Sequence, residues 1–294
     1  MSATGSAVRG ELNEAQLAAL LRTPPAWTRR DVQRSVLLAL ISTLVIGGTL
    51  VWLIGQSSGW VSVQKAFFSW RHFRASFPLV LQSFRINIKI FMLAEPIILV
   101  VGLLLAIMRN SRSPVLFPIR AFSVAYIDIF RGAPSLLVIM MLGFGVPALR
   151  ISQLPKSPLF WGGVACVLTS SAYTAETFRA GIESVHASQR AAGRSLGLNS
   201  YQSLRYVVLP QAIRTVIPPL LSGFVSLQKE TSLISVIGPV EITRRAQIYS
   251  AMTFNFTSYL TAALLFIAIT IPLARFTDYL LRRTSRRRTV GGTV

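Results

Sequence analysis

Six stretches of this chain are apolar for about twenty residues each, the length a helix needs to rise at ~1.5 Å per residue through a ~30 Å hydrocarbon layer. Residues 36–55 (VLLALISTLVIGGTLVWLIG), 88–108 and 258–279 are clean runs, while 158–180 and 215–238 are interrupted by polar residues. The sixth, around 117–148, carries Asp128 and Arg131 and then the break Gly132-Ala133-Pro134. Proline starts a helix readily but inside one removes a hydrogen bond. A backbone in lipid must pair its polar groups within itself, so six such runs without the period-two pattern of strands predict an all-α integral membrane protein. The composition agrees, with 52% hydrophobic residues and a mean hydropathy of +0.55.

A net charge of +20, from 30 Lys and Arg against 10 Asp and Glu, raises nucleic acid as a partner. The placement of the charge argues for no nucleic acid. With the N-terminus inside, 17 Lys and Arg fall in cytoplasmic segments: five through Arg34, three in 109–120, four in 190–214 and five in 282–288. Eight fall outside: Lys65, Arg71, Arg74, Arg85, Arg150, Lys156, Arg244 and Arg245. That asymmetry predicts a multi-pass protein with both termini cytoplasmic, its basic ends and the Arg286-Arg287-Arg288 tail held by anionic membrane lipid. Residues 1–35 have no early apolar core, so they read as a cytoplasmic segment; Thr28-Arg29-Arg30 has a poor continuation as a twin-arginine signal. The one cysteine, Cys166, lies in an apolar run, which excludes an intramolecular disulfide and any cysteine-based metal site. We expect no metal.

Between the fourth and fifth spans lies a polar island, AAGRSLGLNSYQSLRYVVLPQ, from Ala191 to Gln211. Ala191, Ala192 and Gly193 are small enough to let another backbone approach. Gly197 suits the left-handed turn that closes a helix, and Asn199 with Gln202 three residues on reads as a cap for the next. Leu204, Val207 and Val208 then share one apolar face, Leu209 follows, and Pro210 is expected to end this short helix before the chain re-enters the membrane at Ala212.

These residues carry a resemblance. SQRAAGRSLGLNSYQSLRYVVLPQAIR resembles the signature loop of permease subunits of bacterial ABC importers, in which an E-A-A triplet is followed four residues later by Gly and then by I-x-L-P. YIDIFRGAP (126–134), SAYTAETFRAG (171–181) and KETSL (229–233) are similar, in the right order, to segments of the polar-amino-acid branch, the histidine, glutamine, glutamate and arginine type. The similarity spans about residues 78–283. It implies a five-span type I importer core, 86–283, preceded here by the extra span 36–55 and an external segment 56–85, with a basic tail at 284–294. It also implies that the loop 184–212 couples the chain to a separate ATPase subunit, present in two copies, which binds ATP and Mg, so that this chain binds no cofactor itself. A second permease subunit, an external solute-binding protein and an amino acid substrate complete the implied assembly in the bacterial inner (cytoplasmic) membrane. The triplet's glutamate is replaced by Ala191, beside Arg190; a partner permease could supply it, which slightly favours a heterodimer.

Ionisable groups inside spans cost roughly 2.5–3.5 kcal/mol each at a helix centre, so they need partners or a wet cavity. Asp128 with Arg131, and Glu176 with Arg179, are three apart and are expected to pair as structural charges on one helix face. Lys89 and Glu95 share no face, and Pro96 can open the backbone beside Glu95. A zwitterion needs an anion for its ammonium and a cation or helix N-terminus for its carboxylate. Lys89, Glu95, Ser170, Ser171, Tyr173 and Lys229 are the candidate substrate-path residues.

The chain has no G-x-x-x-x-G-K-[ST], H-E-x-x-H or G-x-S-x-G, and His72 and His186 fall on opposite sides of the membrane, so no catalytic residues and no enzyme are expected. A secondary transporter would show paired broken helices in an internal repeat, and none is evident. The competing class is an ion channel or proton-coupled carrier that uses the buried charge pairs.

Overall fold

The structure, a computed structural model, describes residues 30–111 and 113–290. The cytoplasmic segment predicted for 1–35 lies outside the described residues up to residue 29, as do 291–294 of the tail and the side chains of Arg30, Asp31, Arg190, Ser200, Leu204 and 282–290. The chain divides into two units, 1–63 and 64–294.

In the first unit, α1 (Arg30–Gln56) contains the first predicted span. Its window within Val32–Gln56 is apolar on every face, the make-up of a membrane-spanning helix.

The second unit is a helical bundle. After α2 (Trp60–Phe67), α3 (Trp70–Asn110) runs for 41 residues, about 60 Å at 1.5 Å per residue, and so well beyond the thickness of the hydrocarbon. The segment 56–85, read from sequence as an external connection, is therefore largely helical: polar residues that do not suit lipid still form helix where they pack on a neighbour. Asn255 Nδ2 donates to the Lys65 carbonyl at 2.9 Å, and Ser76 Oγ lies 3.2 Å from Thr261 Oγ1. Pro78 and Pro96 sit inside α3, each omitting one backbone donor without interrupting the helix.

A turn of 3₁₀ helix leads into α4 (Phe117–Gly132), then α5 (Ser135–Ala148). These two meet at 103°, so the sixth predicted run is a broken span or re-entrant pair. The break is where Ala133 and Pro134 adopt extended backbone, with ψ of 133° and 127°. Next come α6 (Pro158–Glu183), α7 (Ala187–Ser195), α8 (Ser200–Ser203), a π segment Leu204–Val208, and α9 (Leu209–Glu230). A 3₁₀ stretch, Thr231–Ile237, joins α9 to α10 (Ile242–Thr253), and α11 (Thr257–Val290) closes the unit.

Among the described residues, four helical segments are long and apolar enough to cross a membrane, five if the bent pair counts as one. The 26-residue α6 is not among them; it sits at the centre of the unit, packed by α3, α4, α5 and α9. Its buried residues are small, and most of them, Gly162, Ala165, Cys166, Thr169, Ala172 and Ala175, fall at helical spacing. Small residues let neighbouring backbones close in. A Cβ added at Gly102 of α3 would lie 2.6 Å from Thr174 Cγ2 and 3.2 Å from the Ala175 nitrogen. The core around this seam joins Phe91, Ala94 and Ile98 of α3 to Ile139, Cys166, Leu227 and Ile234.

Candidate functional site

A cavity of about 290 Å³ opens between α3, α6 and α9. Its wall from α6 is Ser170, Tyr173, Thr174 and Thr177, a run at helical spacing; α9 contributes Pro219, Gly223, Ser226 and Glu230 at the same spacing, and α3 contributes Glu95 and Ile98. Two carboxylates, Glu95 and Glu230, thus share one chamber with several hydroxyls, and both are half-buried. No cation lines it. Of the candidate path residues, Glu95, Ser170 and Tyr173 come together here. Lys89 and Lys229 are exposed and outside the lining. Ser171 is buried, with its Oγ 2.9 Å from the Tyr126 hydroxyl. Helical phase explains the misses: Ser171 points away from the face that Ser170 and Tyr173 share. Glu230, Thr174, Thr177 and Ser226 were absent from the sequence-based set, although their three- and four-residue spacing is visible in the chain.

A second cavity of about 340 Å³ shares Tyr173, Thr177 and Pro219 with the first and adds Arg131, Glu176 and Thr215. Glu176 is the hub of its charge. Arg179 binds both carboxylate oxygens through Nε and Nη2, and Arg109 Nη1 donates to Oε2 at 3.2 Å. Arg131 Nη1 is 3.7 Å from the same oxygen. Arg179 also pairs with Glu183. The two expected pairs therefore differ. Glu176 and Arg179 meet, whereas Arg131 turns to Glu176 rather than to Asp128, which is exposed and makes no ion pair among the described residues. Asp128 is exposed, where solvent screens its charge, and the placement of α4 against α6 brings Arg131 within ion-pair reach of Glu176 instead.

The polar island folds as a helix, a glycine turn and a second helical stretch. Gly197 has φ +83°, a conformation that costs other L-residues about 1–2 kcal/mol, and Leu198 N donates back to the Gly193 carbonyl at 3.2 Å. Asn199 Oδ1 accepts from Gln202 N at 2.8 Å, and Gln202 Oε1 accepts from Asn199 N at 3.0 Å, a reciprocal cap. Gly193 is buried beneath the second stretch, where a Cβ would be 3.2 Å from Ser203 Oγ and 3.4 Å from Val207 Cγ2. Val208 packs with Val185 and Ala212, and Val207 is partly buried. Ala191, Ala192, Asn199, Leu209 and Pro210 are exposed. Pro210 does not end the helix as expected: it occupies the first turn of α9, directly after the π segment. Proline lacks the N–H that an interior position would require, and a register change just before it is where that loss costs least. The loop leaves Leu196 83% exposed and Tyr201 and Tyr206 each 66% exposed, three apolar or aromatic side chains open on a polar loop.

One further polar cluster was not foreseen. Glu241 is 0% exposed, accepting from Asn87 Nδ2 at 2.9 Å and from Arg244 N at 2.7 Å. Asn87 also donates to Thr231 Oγ1 and accepts from Ile242 N, so it ties α3 to both ends of the α9–α10 connection. Burial pushes the Glu241 carboxyl above its usual range, while the Asn87 amide and the N–H groups of Arg244 and Thr243 pull it down.

Residues 98–286 match the family described as the binding-protein-dependent transport system inner membrane component. The chain is 31% identical over 218 residues to the probable amino-acid permease protein YxeN of Bacillus subtilis, covering 74% of this chain and 96% of that one. It is 35% identical over 190 residues to the probable glutamine ABC transporter permease protein GlnM of the same organism, covering 64% and 84%. Among solved structures, an amino acid ABC transporter crystallised with histidines superposes with a TM-score of 0.64 at 32% identity, over 70% of this chain and 94% of that one. The chain belongs to the family of inner-membrane components of binding-protein-dependent transport systems.

Proposed function

We propose that this chain is the permease subunit of an ATP-driven amino acid importer and that the Glu95–Glu230 chamber is its substrate station. The observation that carries the reading is the meeting of those two carboxylates with Ser170, Tyr173, Thr174 and Ser226 in one cavity between three core helices. Its volume is near the lower end of small-ligand sites, roughly 300–1,000 Å³, and it offers hydrogen-bonding groups together with acceptors for an ammonium or other cationic group. The named relatives and the structural neighbour, all amino acid or glutamine transport proteins, support the substrate class. None of them is named a channel or a proton-coupled carrier.

The loop 184–212 docks on the ATPase subunit. Its exposed Leu196, Tyr201 and Tyr206 have the make-up of a protein interface core, and its internal caps hold the loop rigid without the partner. ATP and Mg belong to that partner, in two copies. A second permease and an external binding protein complete the complex, and Ala191 in the place of a glutamate favours a heterodimer. Both termini and the loop lie on the cytoplasmic side.

The test is purification of tagged protein from its native membrane in mild detergent, followed by reconstitution into vesicles. An ATP-hydrolysing subunit should co-purify, uptake of labelled amino acid should require ATP, and Glu95→Gln should lower uptake while leaving the assembly intact. A chain that emerges without an ATPase, or uptake that runs without ATP, would refute the reading.

A further inference from the structure

The substrate station lacks a cation, yet an amino acid also carries a carboxylate. We propose that Arg131 is the carboxylate-recognition residue of a second subsite, the 340 Å³ cavity beyond Tyr173, which the substrate meets next on its path. The inference rests on the importer reading above.

Three arginines surround Glu176, but they are not held alike. Arg109 and Arg179 hydrogen-bond its carboxylate, and Arg131 does not: its nearest nitrogen is 3.7 Å away, within ion-pair reach but beyond a hydrogen bond. Arg131 is also the most open of the three, its side chain 39% exposed against 24% and 28%. It alone of the three lines the cavity. Its guanidinium lies over the Tyr173 ring at 5.9 Å, and the Tyr173 hydroxyl donates to its carbonyl at 3.2 Å, so it is positioned by the residue that borders both cavities.

Those differences define an exchangeable cation. If a substrate carboxylate takes Arg131, Glu176 keeps two hydrogen-bonded arginines and is not left as an unpaired buried charge, the outcome that makes breaking an ion pair costly. Arg131 in turn trades a loose contact for a bidentate one, for which its planar fork is suited. Counting Glu176 and Glu183 against the three arginines, the cluster keeps one uncompensated positive charge for an anion to meet. A zwitterion thus passes from a chamber whose charges suit its ammonium to one with a loosely paired cation for its carboxylate.

The experiment uses the purified permease–ATPase complex without binding protein. Equilibrium binding of each of the twenty common L-amino acids identifies the tightest binder, which is then compared with its own decarboxylated amine. Wild-type complex should bind the amino acid more tightly than the amine by roughly 10- to 100-fold, the worth of a charge-assisted bidentate contact. Arg131→Gln should collapse that ratio towards one, chiefly by weakening the amino acid. Arg131→Lys, which keeps the charge but not the fork, should retain an intermediate ratio and guards against a folding defect in the glutamine variant. Glu95→Gln should weaken both ligands and leave the ratio. An Arg131→Gln complex with an unchanged ratio, or with both ligands weakened equally, overturns the proposal and makes Arg131 a clamp on Glu176. Failure of wild-type complex to bind any amino acid also overturns it; ATP-dependent uptake in vesicles then decides separately whether the importer reading survives.

Discussion

Replacing Gly102 by alanine tests the packing that shapes the cavity. The new Cβ would lie 2.6 Å from Thr174 Cγ2, 2.8 Å from Thr174 Cβ and 3.2 Å from the Ala175 nitrogen. Comfortable contact between carbons begins at about 3.5 Å. Rotating Thr174 moves its Cγ2 and Oγ1 but not its Cβ, so the backbones of α3 and α6 must part by several tenths of an ångström. Overpacking of this kind costs about 1–3 kcal/mol, whereas alanine in place of glycine inside a helix gains about 0.5–1 kcal/mol. The clash wins, and Gly102→Ala should lose about 1 kcal/mol. Gly223 of α9 is the matched control: a Cβ there meets nothing within 4 Å, so only the helix term acts and Gly223→Ala should gain about 0.5–1 kcal/mol. For a unit of this size each kcal/mol shifts the unfolding midpoint by about 2–4 °C, so the two variants should straddle wild type and differ by several degrees. Thermal unfolding of the detergent-purified complex, at one scan rate because such transitions are often irreversible, reads the order. A Gly102→Ala midpoint equal to or above wild type would refute the reasoning, since it would mean that α3 and α6 are not in the contact described. Thr174 lines the substrate chamber, so Gly102→Ala should also lower uptake in vesicles, in proportion to the displacement it forces.

Gly197→Asp, at φ +83°, or deletion of 199–206 should abolish ATP-coupled uptake while membrane insertion, checked by fractionation, is unchanged; normal uptake would sink the coupling assignment. Glu241→Gln should change the pH dependence of stability. A carboxyl raised by burial stabilises the fold most below its ordinary value near 4.5, and that contribution is lost as pH rises through the folded-state value. The midpoint of wild type should therefore fall relative to that of Glu241→Gln as pH rises above the ordinary carboxyl value, and parallel profiles would refute the raised carboxyl. Cys166 is 2% exposed, so a maleimide should label the folded protein slowly and the unfolded protein fully; rapid labelling of the native complex would place α6 at a surface.

Much of the bundle was legible in the chain because lipid imposes a simple rule, and α1, α3, α9 and α11 each contain an apolar run found by length alone. The rule weakens inside the protein. The α6 run, 158–180, was found as an apolar stretch, but its polar interruptions and small buried residues make sense only against protein neighbours, and the polar first half of α3 is helical because α11 and α10 pack on it, which no local pattern states. The island's turn chemistry was readable because Gly197, Asn199 and Gln202 act on their immediate neighbours. The charge hub was only half readable: the i, i+3 spacing found Arg179 on Glu176, but Arg109 and Arg131 come from other helices, and the choice of Arg131 between Asp128 and Glu176 depends on where α4 lies against α6. Glu230 in the chamber and Asn87 on Glu241 are likewise products of tertiary placement.

The same placement shows how an event at the loop can reach the path. Val208, at the end of the π segment, packs with Val185 just beyond α6 and with Ala212 in the first turns of α9. The loop therefore bears directly on the roots of the two helices that wall the chamber, α6 with Tyr173 and Thr177 and α9 with Pro219 and Glu230. Gly181 makes that root tight, since a Cβ there would lie 1.9 Å from Val216 Cγ2. A rigid displacement of the loop cannot be absorbed in so close a seam and must move α6 and α9 together or slide one past the other. The Glu176 hub lies on the α6 side of that seam, with Arg109 and Arg131 reaching it from α3 and α4. Motion of α6 therefore changes the distance over which Arg131 is held, already the longest of the three. On the proposed reading, coupling and substrate passage then act on one contact: a loop moved by an ATPase partner would change the availability of the Arg131 cation in the same step that moves the chamber wall.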